Sequence, residues 1–86
     1  MATVHIPAQL RKLTGSEQVE VEAANLRQLL EALESRFPGI KDRLCEGDRI
    51  RPGLQVTIDG QMSQKGLAAA LAPQSEVYFL PAIGGG

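Results

Sequence analysis

One thiol and one imidazole, Cys45 and His5, are all that the 86-residue sequence offers of those two side chains. A single cysteine excludes an internal disulfide, and a reducing, cytoplasmic setting follows as the expectation. The usual zinc and cysteine-nucleophile patterns need ligands or partners that are missing here, since no two histidines stand at i, i+4. No glycine-rich phosphate loop precedes a helix either. Long apolar runs are absent, and the N-terminus lacks a basic region followed by an apolar stretch, so neither membrane insertion nor export is expected. An excess of one charge is also lacking: nine Lys plus Arg face ten Asp plus Glu, a net charge of -1, and the basic residues are scattered. Nucleic acid is therefore not an expected partner. The one local basic cluster, Arg49 and Arg51 beside Pro52, reads as a solvated loop.

What is present is the composition of a folded domain, 43% hydrophobic and 22% charged, which is too apolar for a disordered tail. A chain of 86 residues holds one core. Its net stability should be about 4 to 13 kcal/mol, at roughly 0.05 to 0.15 kcal/mol per residue.

Apolar periodicity divides the chain into elements. Thr3 to Ile6 alternate, with Val4 and Ile6 on one face and Thr3 and His5 on the other, the period of a half-buried strand that Pro7 ends. Thr14-Gly15-Ser16 marks a turn, after which Gln18 to Glu22 resumes the alternation with Val19 and Val21 inward. Asn25 followed by Gln28 matches a capping box, and Leu26, Leu29, Leu30, Leu33 and Phe37 then line one stripe of a helix that Pro38-Gly39 stops. Arg27, Glu31, Glu34 and Arg36 take its water-facing side. From Ile40 to Pro52 the pattern is irregular, with one short helical turn placing Ile40 and Leu44 inward. Leu54, Val56 and Ile58 make a third strand, Asp59-Gly60 turns it into a short edge over Gln61 to Ser63, and Gly66 to Leu71 reads as a brief helical turn. Glu76 to Leu80 is the last strand, with Val77 and Phe79 on one face and Tyr78 and Leu80 on the other.

Hairpin, helix, hairpin and final strand imply an α+β fold of the β-grasp, ubiquitin-like kind. A mixed sheet of four to five strands carries one main helix on one face, and the final strand lies beside the first. Residues 1–80 form the domain, and residues 81–86 form a flexible tail ending in glycines. Pro81-Ala82-Ile83 leaves an apolar strand and leads to Gly84, Gly85 and Gly86. At about 3.3 to 3.6 Å per residue, this stretch can hold the last carboxylate about 20 Å from the body. Glycine lacks a Cβ, so such a segment can thread a narrow channel on a partner. Terminal glycines in an arbitrary chain are a frayed end, but here they continue a strand of a β-grasp. No catalytic and no metal-binding set is assigned. His5 reads as a surface residue because sequence alone gives it no carboxylate partner, and Cys45 as an inert thiol in a loop where Glu46 and Asp48 disfavour the thiolate.

The run Val4-His5-Ile6-Pro7, then Leu10-Arg11, Thr14-Gly15, Asn25-Leu26, Leu44, Val56 to Gly60 and above all Leu80-Pro81-Ala82-Ile83-Gly84-Gly85-Gly86 resembles the bacterial ubiquitin-like sulfur carriers. That family includes the small subunit of molybdopterin synthase, the thiamine-pathway carrier and, closest in pattern, the carrier of thiocarboxylate-dependent cysteine synthesis. Its diglycine end maps onto Gly85 and Gly86, with Gly84 where a small residue such as alanine is usual. The resemblance implies no bound cofactor and no catalysis by the chain itself. An E1-like adenylating enzyme would use ATP to activate the Gly86 carboxylate, a sulfur donor would convert it to a thiocarboxylate, and a sulfur-accepting synthase would collect the sulfur. Tyr78, Leu80, Pro81 and Ile83 are the expected docking residues beside the tail. Three other readings stay open: a ubiquitin-like modifier conjugated through Gly86, the small subunit of a molybdopterin-synthase-like complex, and a β-grasp binding module with an idle tail.

Overall fold

In the computed structural model, residues 1–62 and 65–81 are described. Strand β1, Ala2–His5, pairs antiparallel with β2, Gln18–Val21, in the register Val4 to Val19, so the apolar residues of both share one face. The ladder reaches one step further, because the Ile6 N–H donates to the Glu17 oxygen at 2.8 Å. Between the strands the chain forms a 3-10 turn over Ala8–Leu10 and then a short helix α1, Arg11–Thr14. The sequence reading has only a turn here, since four residues are too few to display a 3.6 period. Gly15 ends α1 at φ +71°, a left-handed backbone that glycine adopts without a Cβ penalty.

Helix α2, Leu26–Arg36, starts where the capping signal puts it. The Asn25 Oδ1 accepts from the Gln28 N–H at 2.8 Å, and the Gln28 Oε1 accepts from the Ala24 N–H at 2.8 Å, one residue upstream of the usual reciprocal partner. Leu26, Leu29, Leu30 and Leu33 are all fully buried. A helix of 11 residues is marginal alone in water, so this burial against the sheet is what holds it. Phe37 lies just past the helix end and is half-buried, its N–H donating to the Leu33 oxygen at 2.7 Å. Gly39, at φ +100°, reverses the chain into α3, Ile40–Leu44. The Glu34 carboxylate reaches back to accept from the Gly39 and Lys41 N–H groups, both at 2.9 Å, instead of pointing to water.

The segment after α3 is more regular than its sequence indicates. β3, Cys45–Glu46, pairs antiparallel with β4, Arg49–Ile50, around Gly47. Two-residue strands leave no alternation to read, and Arg49 and Arg51 therefore frame a small hairpin instead of a free loop. Arg51 ties that hairpin to α3, its N–H donating to the Leu44 oxygen and its Nε to the Asp42 oxygen at 2.9 Å.

β5, Leu54–Ile58, runs into the Asp59-Gly60 turn and β6, Gln61–Met62; Ser63 of the expected edge lies outside the described residues. A 3-10 turn over Gly66–Ala68 follows, and β7, Glu76–Pro81, ends one residue later than the spacing predicts. The main sheet has the order β2-β1-β7-β5-β6, with β7 parallel to β1 and antiparallel to β5. First and last strands are thus neighbours, and α2 packs on one face of a mixed five-stranded sheet. Val4, Val19, Val21, Val56, Val77 and Phe79 meet the α2 leucines in one core.

Candidate functional site

The strand that leads to the tail is fixed at its start by a polar chain. Asp59, at φ +55°, accepts from the Glu76 N–H with Oδ1 at 2.9 Å and from the Ser75 hydroxyl with Oδ2 at 2.8 Å. The Ser75 Oγ in turn accepts from the Ala72 N–H at 2.8 Å, and this buried serine has every partner it needs. Beyond it, β7 is paired with β1 over Glu76 to Tyr78, with Val4 opposite Val77, and with β5 over Val77 to Pro81, with Val56 opposite Phe79. The last described position, Pro81, is the register partner of Leu54.

Alternation then decides what the open face presents. Val77 and Phe79 are buried under α2, so Tyr78 and Leu80 face away from the helix, 38% and 41% exposed. Tyr78 stands between Thr57 of β5 and His5 of β1 in the sheet register, and Leu80 opposite Gln55. The His5 ring stacks on Tyr78, with centroids 3.9 Å apart and planes within 1°. Its Nε2 lies 2.9 Å from the Glu76 Oε1. His5 therefore has the carboxylate partner that the sequence reading withheld. The partner is 71 positions away, and only the parallel β1–β7 register brings the two together. A depression of about 450 Å³ opens beside this row, bounded by His5, Pro7, Arg11, Tyr78 and Leu80.

Among the expected docking residues, Tyr78 and Leu80 are thus brought onto one exposed face, and Pro81 continues their strand. Ile83, Gly84, Gly85 and Gly86 lie outside the described residues. Cys45 is not in a loop: it is buried in β3, and burial pushes its thiol up, with the nearby Asp42 adding to the effect and Lys41, Arg27 and Arg51 opposing it. Desolvation is therefore the cause, in place of the Glu46 and Asp48 charges that the sequence invokes. Glu34 is held below the usual carboxylate range by the Gly39 and Lys41 N–H groups. Among the described residues no helix is long and apolar enough to cross a membrane.

Comparison with known proteins places this geometry. The ThiS family model matches residues 4–86. A chain of the Amycolatopsis orientalis BexX/CysO complex superposes with a TM-score of 0.91 at 31% identity over 100% of both chains. CysO of Mycobacterium tuberculosis gives 0.88 at 28% identity over 96% of this chain and 100% of its own. SAMP1 of Haloferax volcanii gives 0.78 at 25% identity over 99% and 98%. No curated protein matches the chain in sequence. The match over nearly its full length and the shared β-grasp architecture make the chain a member of the ThiS family of ubiquitin-like sulfur carriers.

Proposed function

We propose that the chain is a protein co-substrate whose working group is the Gly86 carboxylate. An E1-like enzyme brings ATP, and a carboxylate oxygen of Gly86 attacks the α-phosphorus, expelling pyrophosphate and leaving an acyl-adenylate. Sulfide then attacks the acyl carbon and AMP departs, so that Gly86 ends in a thiocarboxylate; with a persulfide donor the same attack gives an acyl disulfide, and a second thiol of the donor protein attacks the donor's own sulfur, forming a disulfide there and releasing the thiocarboxylate. A synthase that makes cysteine, molybdopterin, thiamine or a related metabolite receives this sulfur, which reacts as a held nucleophile at high effective concentration. The carrier contributes position alone and needs neither metal nor base of its own.

The observation that supports this reading most is the course of β7. Paired with β1 over Glu76 to Tyr78 and with β5 over Val77 to Pro81, it is anchored in the sheet up to Pro81, five residues before Gly86, and it displays Tyr78 and Leu80 on the open face beside that end. A partner that grips the face has the carboxylate within reach. The test is intact-mass spectrometry after incubation with ATP, an E1-like enzyme and a sulfur donor. Exchange of one oxygen for sulfur on the whole chain is the expected result. Lack of that product with every such enzyme, or full activity in a chain lacking Gly85 and Gly86, refutes it.

The similarity to SAMP1, a small archaeal modifier protein, favours one second reading, in which the activated Gly86 forms an isopeptide bond with a lysine of a target protein. Adducts of much higher mass in the same experiment distinguish it.

A further inference from the structure

The pole of the sheet from which the chain continues toward Gly86 carries a groove separate from the Tyr78–Leu80 face. Leu10, from the first 3-10 turn, Leu44, at the end of α3, and Leu54, the register partner of Pro81, line it, together with Arg43, Arg51 and Pro52. Its volume is about 340 Å³. Leu10 and Leu44 are buried and Leu54 half-buried, whereas both arginines are exposed, so an apolar floor lies under a cationic rim.

The two guanidinium groups are poised differently. Arg51 is oriented by its Nε donation to the Asp42 backbone oxygen, 2.9 Å away. The Arg43 side chain makes no hydrogen bond and no ion pair among the described residues, and the Arg51 side chain meets no carboxylate there. Asp42, beside Arg43 in the chain, supplies a backbone oxygen and not its carboxylate. Arg11, at the same pole, is already matched by Glu17 at 3.7 Å. The carboxylates of Glu22, Asp59 and Glu76 stand at the opposite ends of β2, β5 and β7. Arg43 and Arg51 thus present guanidinium groups that meet no carboxylate among the described residues at the pole where a partner of the tail must approach, while the exposed Asp42 and the Arg11-bound Glu17 are negative charges of the same pole.

We infer that this groove docks an acidic segment of the partner protein that activates Gly86, an apolar side chain resting on Leu10, Leu44 and Leu54 while carboxylates meet Arg43 and Arg51. The inference rests on the carrier reading for the identity of that partner. Exposed guanidinium groups are screened by salt and hold a free anion weakly. The apolar floor is what makes a peptide segment, and not an inorganic anion, the fitting occupant. Rim charges of this kind act chiefly on association rate and on selection of partner.

The experiment is ATP–pyrophosphate exchange by an E1-like enzyme, titrated with the full chain at low and high salt, for the wild type, Arg43→Glu, Arg43→Lys and Arg51→Gln. At low salt R43E should raise KM for the carrier about 5- to 20-fold with kcat unchanged, and the gap should close to under about 2-fold at high salt. R51Q should move KM in the same direction, and R43K should stay with the wild type. The Arg43 side chain is exposed and without a partner among the described residues, so an unchanged unfolding midpoint for R43E is expected and separates docking from folding. Equal KM values for R43E and the wild type at low salt, or a defect that salt does not relieve, overturns the groove and leaves the carrier reading standing. A wild-type chain that no such enzyme adenylates refutes the carrier reading itself, and the groove's partner with it.

Discussion

Leu80→Asp separates docking from folding on the open face of the sheet. Full burial of a leucine is worth about 1.5 to 3 kcal/mol, so covering the part still in water on docking contributes about 0.6 to 1.2 kcal/mol. That part is 41% of the residue. An aspartate loses this and places an unpaired carboxylate under the partner, bringing the total to about 2 to 3 kcal/mol, or about 30- to 150-fold in affinity. Within the domain, the covered portion of Leu80 and the lower strand propensity of aspartate together cost about 1 to 3 kcal/mol against about 4 to 13, which leaves the folded state dominant. Circular dichroism checks the fold, and KM for the carrier in ATP–pyrophosphate exchange reads the docking. A folded L80D with wild-type KM removes the Tyr78–Leu80 face from the account.

Three further outcomes follow from particular contacts. Leu33→Ala deletes a fully buried side chain on α2 and should cost about 2 to 5 kcal/mol in urea unfolding; a loss under about 1 kcal/mol contradicts the packing. Glu34→Ala removes the acceptor of the Gly39 and Lys41 N–H groups. Because the folded carboxyl titrates below its unfolded value, its stabilisation is present above the ordinary carboxylate pKa and fades as pH falls through the depressed one. Wild type and E34A should therefore differ in melting temperature at neutral pH and converge in acid; a pH-independent difference refutes the assignment. Cys45, buried with a raised pKa, should react with a disulfide reagent at mildly alkaline pH only as fast as the domain opens, and rapid labelling of the native protein contradicts its burial.

How much of this was legible depends on the length over which a pattern runs. The α2 start is written locally, since Asn25 and Gln28 are within one turn of the groups they satisfy, and four leucines repeat the helical period. β5 alternates in sequence over Leu54 to Ile58 and β7 alternates exposed and buried over Glu76 to Leu80, enough to assign Tyr78 and Leu80 to the outer face. α1 and the β3–β4 hairpin escape because elements of four and two residues hold only about one period, too little for a repeat to show. The His5–Glu76 pair and the groove between Leu10 and Arg43 escape for another reason. Each joins residues far apart in the chain, and only the register of the closed sheet and the docking of α3 determine that they meet. The burial of Cys45 belongs to the same class, as neighbouring charges are visible in sequence and solvent exclusion is not.

The placement of β7 between β1 and β5 also governs how the molecule bears load. A tug along the strand axis from Pro81 loads the β5 ladder over Val77 to Pro81 in shear and, further in, the β1 ladder over Glu76 to Tyr78, so the bonds of each ladder share the load instead of parting one by one. An enzyme that draws the glycines into a cleft, or a protease complex that reels in the chain from that side, meets a grip that holds until the whole sheet gives way.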